Sequence, residues 1–262
     1  MELNLKGKTA LVTGGSQGIG RACAEALAGE QVKVAIVARN HNILSETAES
    51  ISRKTGKKIV TVSADISTAA GVESAILGTA QELGKIDILI NNAGSAPMGR
   101  VSELTDAVWQ EAFDLKVMGY VRCARAIMDD MRKQGWGRII NIIGRGGHFP
   151  SANYISGGAM NAALLNVTQA LAEECGKDNV LVNAVNPTAT DTGRWHSLVQ
   201  QQAKITGNSG AEINSRAKKA VPLGRIGKPE DIANMVVFLC SDKAGFINGA
   251  LVDIDGGQSR AL

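Results

Sequence analysis

The sequence predicts an α/β fold, a doubly wound parallel sheet of about seven strands with helices on both faces, and three observations carry that expectation. Short apolar runs recur at intervals, the segments between them have the length and polarity of covering helices, and a glycine-rich turn follows the first run. The runs are TALVT at 9–13, VKVAIVA at 32–38, KIVTV at 58–62, IDILI at 86–90, RIINII at 138–143 and VLVNAV at 180–185, with a final strand at ALVDIDGG, 250–257. They are too short for helices and rich in β-branched residues. Strands that are apolar on both faces belong to a parallel sheet buried between two helix layers.

At 262 residues and 44% hydrophobic composition, the chain supports one large domain over 1–262, and no linker divides it. The net charge of +3 is spread along the chain without a basic stripe, which argues against a nucleic-acid partner. Cys23, Cys123, Cys175 and Cys240 lie far apart, with no CxxC pair or histidine cluster, so free buried thiols and no metal site are expected. The start MELNLKGKTALVTGG lacks the apolar stretch of a signal peptide, and no run approaches the roughly 20 apolar residues of a membrane span. A soluble cytoplasmic protein is therefore expected. A helix beginning near Thr105 should bury Trp109, Phe113, Val117 and Met128. The stretch from Arg194 to Val221 is polar, contains GNSG, and follows a strand on the side where such sheets bind ligands, so a mobile substrate lid is expected near 190–221.

Directly after the first strand, TGGSQGIG from Thr13 to Gly20 places Gly14, Gly18 and Gly20 where a backbone turns tightly and approaches a pyrophosphate. Asp65 follows the third strand, and NNAG, Asn91 to Gly94, follows the fourth. This ordered set is a Rossmann-type nucleotide site. At these residues the chain resembles the classical short-chain dehydrogenase/reductase family over nearly its whole length. Asn186-Pro187 to Thr192, PLGRIGKPEDIA at 222–233 and the VDIDGG ending extend the resemblance. It implies a nicotinamide dinucleotide held by the three glycines with Ser16, Gln17, Ile19, Asp65, Ile66, Asn92, Ala93, Gly94, Tyr154, Pro187 and Thr192. It also implies a small-molecule substrate and a homodimer or homotetramer. Where an NAD enzyme ends its second strand with an acid, this chain reads Val37-Ala38-Arg39-Asn40. A guanidinium there suits a 2′-phosphate, so NADP(H) is expected over NAD(H).

The family uses a tyrosine as acid or base on the substrate oxygen, a lysine four residues later, a serine on that oxygen, and an asparagine that supports a water. The resemblance places the tyrosine at Tyr154 but puts Gly158 at the lysine, Gly144 at the serine and Lys116, within AFDLKVMG at 112–119, at the asparagine. The connection from Gly144 to Tyr154 is a few residues shorter than usual. A phenol ordinarily titrates near 10, and each unit by which a cation lowers it is worth about 1.4 kcal/mol. Losing that help would cost about 10² to 10⁴ in rate unless something compensates. Lys116, with its flexible stem, is expected to compensate by refilling the space vacated at Gly158.

Ser151 and His148, with Ser156 nearby, are the candidate stand-ins for the absent serine. Tyr120, one turn beyond Lys116, is a second phenol in the area. Arg145 beside Gly144, and Arg194, Lys204, Arg216, Lys218 and Lys219 against Glu212 on the lid, suit an anionic substrate. The leading expectation is an NADP(H)-dependent oxidoreductase acting on a carbonyl or alcohol. Two alternatives stay open: a non-redox lyase, isomerase or hydrolase on the same scaffold, and a catalytically silent cofactor-binding subunit.

Overall fold

The computed structural model describes residues 2–259, so Met1 and 260–262, the ends of the expected single domain, lie outside the described residues. The strands are β1 (Thr9–Thr13), β2 (Lys33–Ala38), β3 (Ile59–Ser63), β4 (Ile88–Asn91), β5 (Gly137–Ile142), β6 (Val180–Pro187) and β7 (Leu251–Ile254). They form one seven-stranded sheet in the order β3-β2-β1-β4-β5-β6-β7, with every neighbouring pair parallel. The helices among the described residues are α1 (Gly18–Gly29), α2 (His41–Thr55), α3 (Ala69–Leu83), α4 (Asp106–Phe113), α5 (Gly119–Gln134), α6 (Ile155–Cys175), α7 (Gly193–Thr206), α8 (Gly210–Lys219) and α9 (Pro229–Cys240).

Alternation along the strands explains the two layers, because successive side chains point to opposite faces of a sheet. Ala10, Val12, Val34 and Ile36 enter a core shared with α1, α2 and α9, whereas Leu11, Ala35 and Val37 enter a core shared with α3 and α5. A third apolar cluster joins α4, the wide turn after it and α6 around Val117, Tyr120, Met160 and Leu164. The strand order turns back at β1: β2 and β3 lie to one side and β4 to β7 to the other. That reversal opens a crevice at the C-terminal ends of β1 and β4.

A buried polar chain crosses the sheet beneath this crevice. Asn91 Nδ2 donates to Asn141 Oδ1 at 3.0 Å, and Asn141 Nδ2 donates to Thr168 Oγ1 at 3.0 Å. Asn141→Leu would remove one partner each from Asn91 and Thr168 in a dry site, leaving Asn91 its longer bond to Tyr120 O and Thr168 its bond to Leu164 O, and is expected to lower stability by about 1–3 kcal/mol, measured by equilibrium urea unfolding.

One expectation is corrected. The helix near Thr105 does begin there, with the Thr105 hydroxyl accepting from Val108 N, and Val117 is buried, but Phe113 is 38% exposed. The reason is a π turn over Asp114–Met118 between α4 and α5, which rotates the residues before it relative to those after it. The polar stretch 190–221, where a substrate lid is expected, is largely helical. Thr192 caps α7 by accepting from Trp195 N, and Ser209 and Glu212 form a reciprocal capping box at the start of α8. Val199 and Ile213 bury one face of each helix, a sparse apolar pattern that polar neighbours mask in the sequence. All four cysteines are free and buried, as expected, and burial pushes the Cys23 thiol up to about 12. Among the described residues no helix is long and apolar enough to cross a membrane, and no group of acidic, histidine and cysteine side chains is placed to hold a metal.

Candidate active site

A cleft of about 880 Å³ runs along the crevice. Its inner end is set by Asn92, whose backbone N–H donates to Thr13 Oγ1 at 3.0 Å and whose amide donates to Thr13 O and Gly14 O at 3.0 and 3.1 Å. These bonds pull the ends of β1 and β4 together. A Cβ on Gly14 would stand 2.8 Å from Asn92 Nδ2, and the residue's φ is +63°, so the turn requires glycine. Ser16, Gln17, Gly18 and Ile19 continue the wall into α1, where among the described residues the Gln17 side chain makes no capping hydrogen bond to the first turn. Free N–H groups at a helix start, behind a loop stripped of side chains, fit a pyrophosphate. Gly20 lies behind the loop, backed against Gly14 O, rather than on the wall.

At the far end Arg39 is exposed after β2, and Asp65 and Ile66 follow β3. Burial pushes the Asp65 carboxyl up, but the Ser67 N–H and hydroxyl and the Arg39 charge together hold it below the usual carboxylate range. Ala93, Gly94, Pro187 and Thr192 complete the walls. The residues present therefore fit a dinucleotide, with every expected contact except Gly20 on the cleft surface.

Tyr154 and Lys116 both line the other half of the cleft. Lys116 sits in the π turn, 8% exposed, and its ammonium donates to Asn161 Oδ1 at 2.6 Å and Ile143 O at 2.8 Å. Its stem passes Gly94, where an added Cβ would meet Lys116 Cδ at 3.0 Å. Burial first, and the Arg194 charge second, lower its pKa from the ordinary 10.5 to about 7. Asn161 Nδ2 in turn donates to Gly144 O at 3.3 Å. Lys116 thus reaches Asn161, not the space beside Gly158, where an added Cβ would instead meet Gly146 O.

Tyr154 stands at the cap of α6, with φ −138° and ψ 40°, rather than inside the helix. Its ring fills the volume above Gly157: a Cβ there would lie 2.0 Å from Tyr154 Cζ and 2.5 Å from Oη. Positions 157 and 161 are four apart and share one helix face. The short connection after Gly144 explains the displacement. It delivers the tyrosine to the cleft from one turn earlier, and only a glycine at 157 leaves room for the ring.

Ser151 and His148 do not line the cleft. Ser151 is exposed and its carbonyl accepts from Tyr154 N at 3.0 Å, whereas the His148 ring faces Asp253 at 3.8 Å on β7. The buried Ser156 Oγ has no hydrogen-bond partner among the described residues. Tyr120 donates to Ile142 O at 2.8 Å within the core. Of the basic residues on α7 and α8, Arg194 alone lines the cleft. Asn161, Gly157, Phe149, Trp195 and Leu198 were not anticipated. For Asn161 and Gly157 the available signal was the shortened connection, which shifts the register of α6 by most of a turn.

Fold and cleft together define a dinucleotide-binding α/β protein of the Rossmann type. A family model described as enoyl-(acyl carrier protein) reductase matches residues 14–259. The 3-oxoacyl-(acyl-carrier-protein) reductase of Aquifex aeolicus is 34% identical over 261 residues, covering 98% of this chain and 100% of that protein. The Escherichia coli protein of the same name is 34% identical over 259 residues, covering 98% and 99%. The solved L-sorbose reductase from Gluconobacter frateurii, complexed with NADPH and L-sorbose, superposes with a TM-score of 0.93 at 35% identity over 100% of both chains. The chain belongs to the classical short-chain dehydrogenase/reductase family of NAD(P)-dependent oxidoreductases.

Proposed function

We propose that this protein transfers hydride between NADP(H) and a carbonyl or alcohol substrate, using Tyr154 as the proton donor and a Lys116–Asn161 pair in place of the usual lysine. The observation that carries this reading is the buried Lys116 ammonium, 2.6 Å from Asn161 Oδ1, in the same cleft half as the phenol. When bound, the nicotinamide supplies or accepts the hydride. Gly14, Ser16, Gln17 and Gly18, which line the cleft, would hold its pyrophosphate, Asp65 and Ile66 would border the adenine end, and Arg39 would meet the 2′-phosphate. The Tyr154 hydroxyl, which has no hydrogen-bond partner among the described residues, hands its proton to the carbonyl oxygen. The positive charge of Lys116 favours the phenolate left behind. With a pKa of about 7, Lys116 exchanges protons readily near neutral pH, the condition for efficient acid–base work. Helices α7 and α8, over 190–221, cover the substrate end of the single domain, and the homodimer or homotetramer common in this family belongs to the same reading.

NADP(H) is favoured because an exposed guanidinium at the end of β2 matches a phosphate and no acid stands there. Arg39→Ala is expected to weaken NADPH binding by about tenfold or more while changing NADH binding about twofold at most, checked by fluorescence titration. The relatives reported above are reductases by name, which lends the non-redox and silent-subunit readings no support. The experiment for the whole reading adds NADPH to the protein and then a panel of ketones, quinones and thioester-linked carbonyls. Saturable binding followed by nicotinamide oxidation supports it, and binding with no oxidation by any carbonyl overturns it.

A further inference from the structure

Charge is distributed unevenly along the cleft. Among the described residues that line it, Asp65 is the one carboxylate, and it pairs electrostatically with Arg39 at the nucleotide's adenine end. The other half contains three cations, Lys116, Arg145 and Arg194. Arg145 lies 3.9 Å from the Asp255 carboxylate, donates to Ser259 Oγ at 3.1 Å, and stacks 4.1 Å over Phe149. Its charge is thereby partly offset. Arg194, on the first turn of α7, spans to the loop after β4 and donates to the neutral carbonyl of Ala96, with no carboxylate partner among the described residues. Its charge is felt at Lys116, where it disfavours the protonated form. Two uncompensated cations facing one half-buried cleft repel each other, and that repulsion persists until an anion enters.

The nucleotide's phosphates are already provided for: the glycine loop and the uncapped start of α1 serve the pyrophosphate, and Arg39 serves the 2′-phosphate. Phe149, Trp195 and Leu198 add apolar surface to the half that contains Arg145 and Arg194. We infer that Arg194, with Arg145 beside it, is the receptor for a carboxylate on the substrate, so that the protein acts on carbonyl compounds that also bear an acid and an apolar group, that is, keto acids or the matching hydroxy acids. This rests on the reductase reading above and narrows its substrate. A planar guanidinium presents two parallel N–H donors to a carboxylate, and the pair gains strength where water is excluded. Neutralising Arg194 would also relieve the charge that opposes protonation of Lys116, so binding of the acid would prime the proton-donating state.

The test is calorimetric and needs no turnover. Matched pairs, benzoylformate with its methyl ester and acetoacetate with its ethyl ester, are titrated into the NADP⁺ complex, which has no hydride to give them, of wild type and of Arg194→Met. The expected result is that an acid binds wild type about tenfold or more tightly than its ester, that Arg194→Met removes this preference, and that NADPH affinity is the same in both proteins. The proposal is overturned if esters bind as well as acids, or if no acid of either pair binds. It is also overturned if Arg194→Met weakens NADPH itself, which would assign the cation to the cofactor's pyrophosphate. If NADPH does not bind at all, the reductase reading fails first; repeating the pairs on the free protein then decides separately whether the carboxylate receptor stands.

Discussion

Lys116→Met is expected to lower kcat by about 10² to 10⁴ while leaving NADPH affinity close to that of wild type. Methionine matches the length of the stem and keeps its packing past Gly94, so the loss isolates the charge. In the reducing direction Lys116 must start protonated. Wild-type kcat should therefore fall as pH rises through about 7, and this inflection should vanish in the variant. Stability gives a second readout with a definite sign. The folded chain holds the Lys116 proton with a pKa of about 7, below the ordinary 10.5, so between these values the unfolded chain binds more protons than the folded one. Wild-type stability then gains a rising contribution across that window, fully absent at lower pH, and Lys116→Met lacks it. Thermal melts across the window check this. A variant with unchanged kcat and an unchanged pH profile would remove Lys116 from the mechanism.

Gly157→Ala is the second large effect, and it acts through a single methyl group. The new Cβ would lie 2.0 Å from Tyr154 Cζ, so the ring has to leave its position. Position 157 is inside α6, where alanine favours the helix by up to about 1 kcal/mol over glycine, so the variant is expected to fold. Its kcat should fall about as far as that of Tyr154→Phe, on the order of 10² to 10⁴. Combining the two changes should add little, because both remove the same phenol from the same place. Steady-state kinetics of the two single variants and the double variant, with circular dichroism as a check on folding, decides it. Full activity in Gly157→Ala would mean that the proton comes from another group.

Most of the architecture was legible because it rests on local signals. The β-branched runs marked the seven strands to within one to three residues, and the glycines after β1 located the turn that meets Asn92. The lining of the cleft followed from the same motifs. What the sequence hid was register and direction. Lys116 was readable as a cation near the site, but its partner Asn161 is 45 residues away in sequence, and a single π turn decides which way the stem points. Gly157 has no local peculiarity; its meaning comes from a ring attached three residues earlier. His148 and Ser151 were credible by proximity along the chain, yet the strand-to-helix connection turns one toward Asp253 and leaves the other exposed. The helices over 190–221 escaped notice because long polar side chains outnumber the few apolar ones that anchor them.

Single-turnover hydride transfer from bound NADPH to a carbonyl acceptor, followed by nicotinamide absorbance in wild type and in Lys116→Met across neutral pH, tests the rebuilt acid–base site most directly. Rapid oxidation in wild type that declines through pH of about 7, and a slow rate without pH dependence in the variant, is the predicted result. Equal rates in the two proteins, or bound NADPH that no carbonyl oxidises, would contradict it.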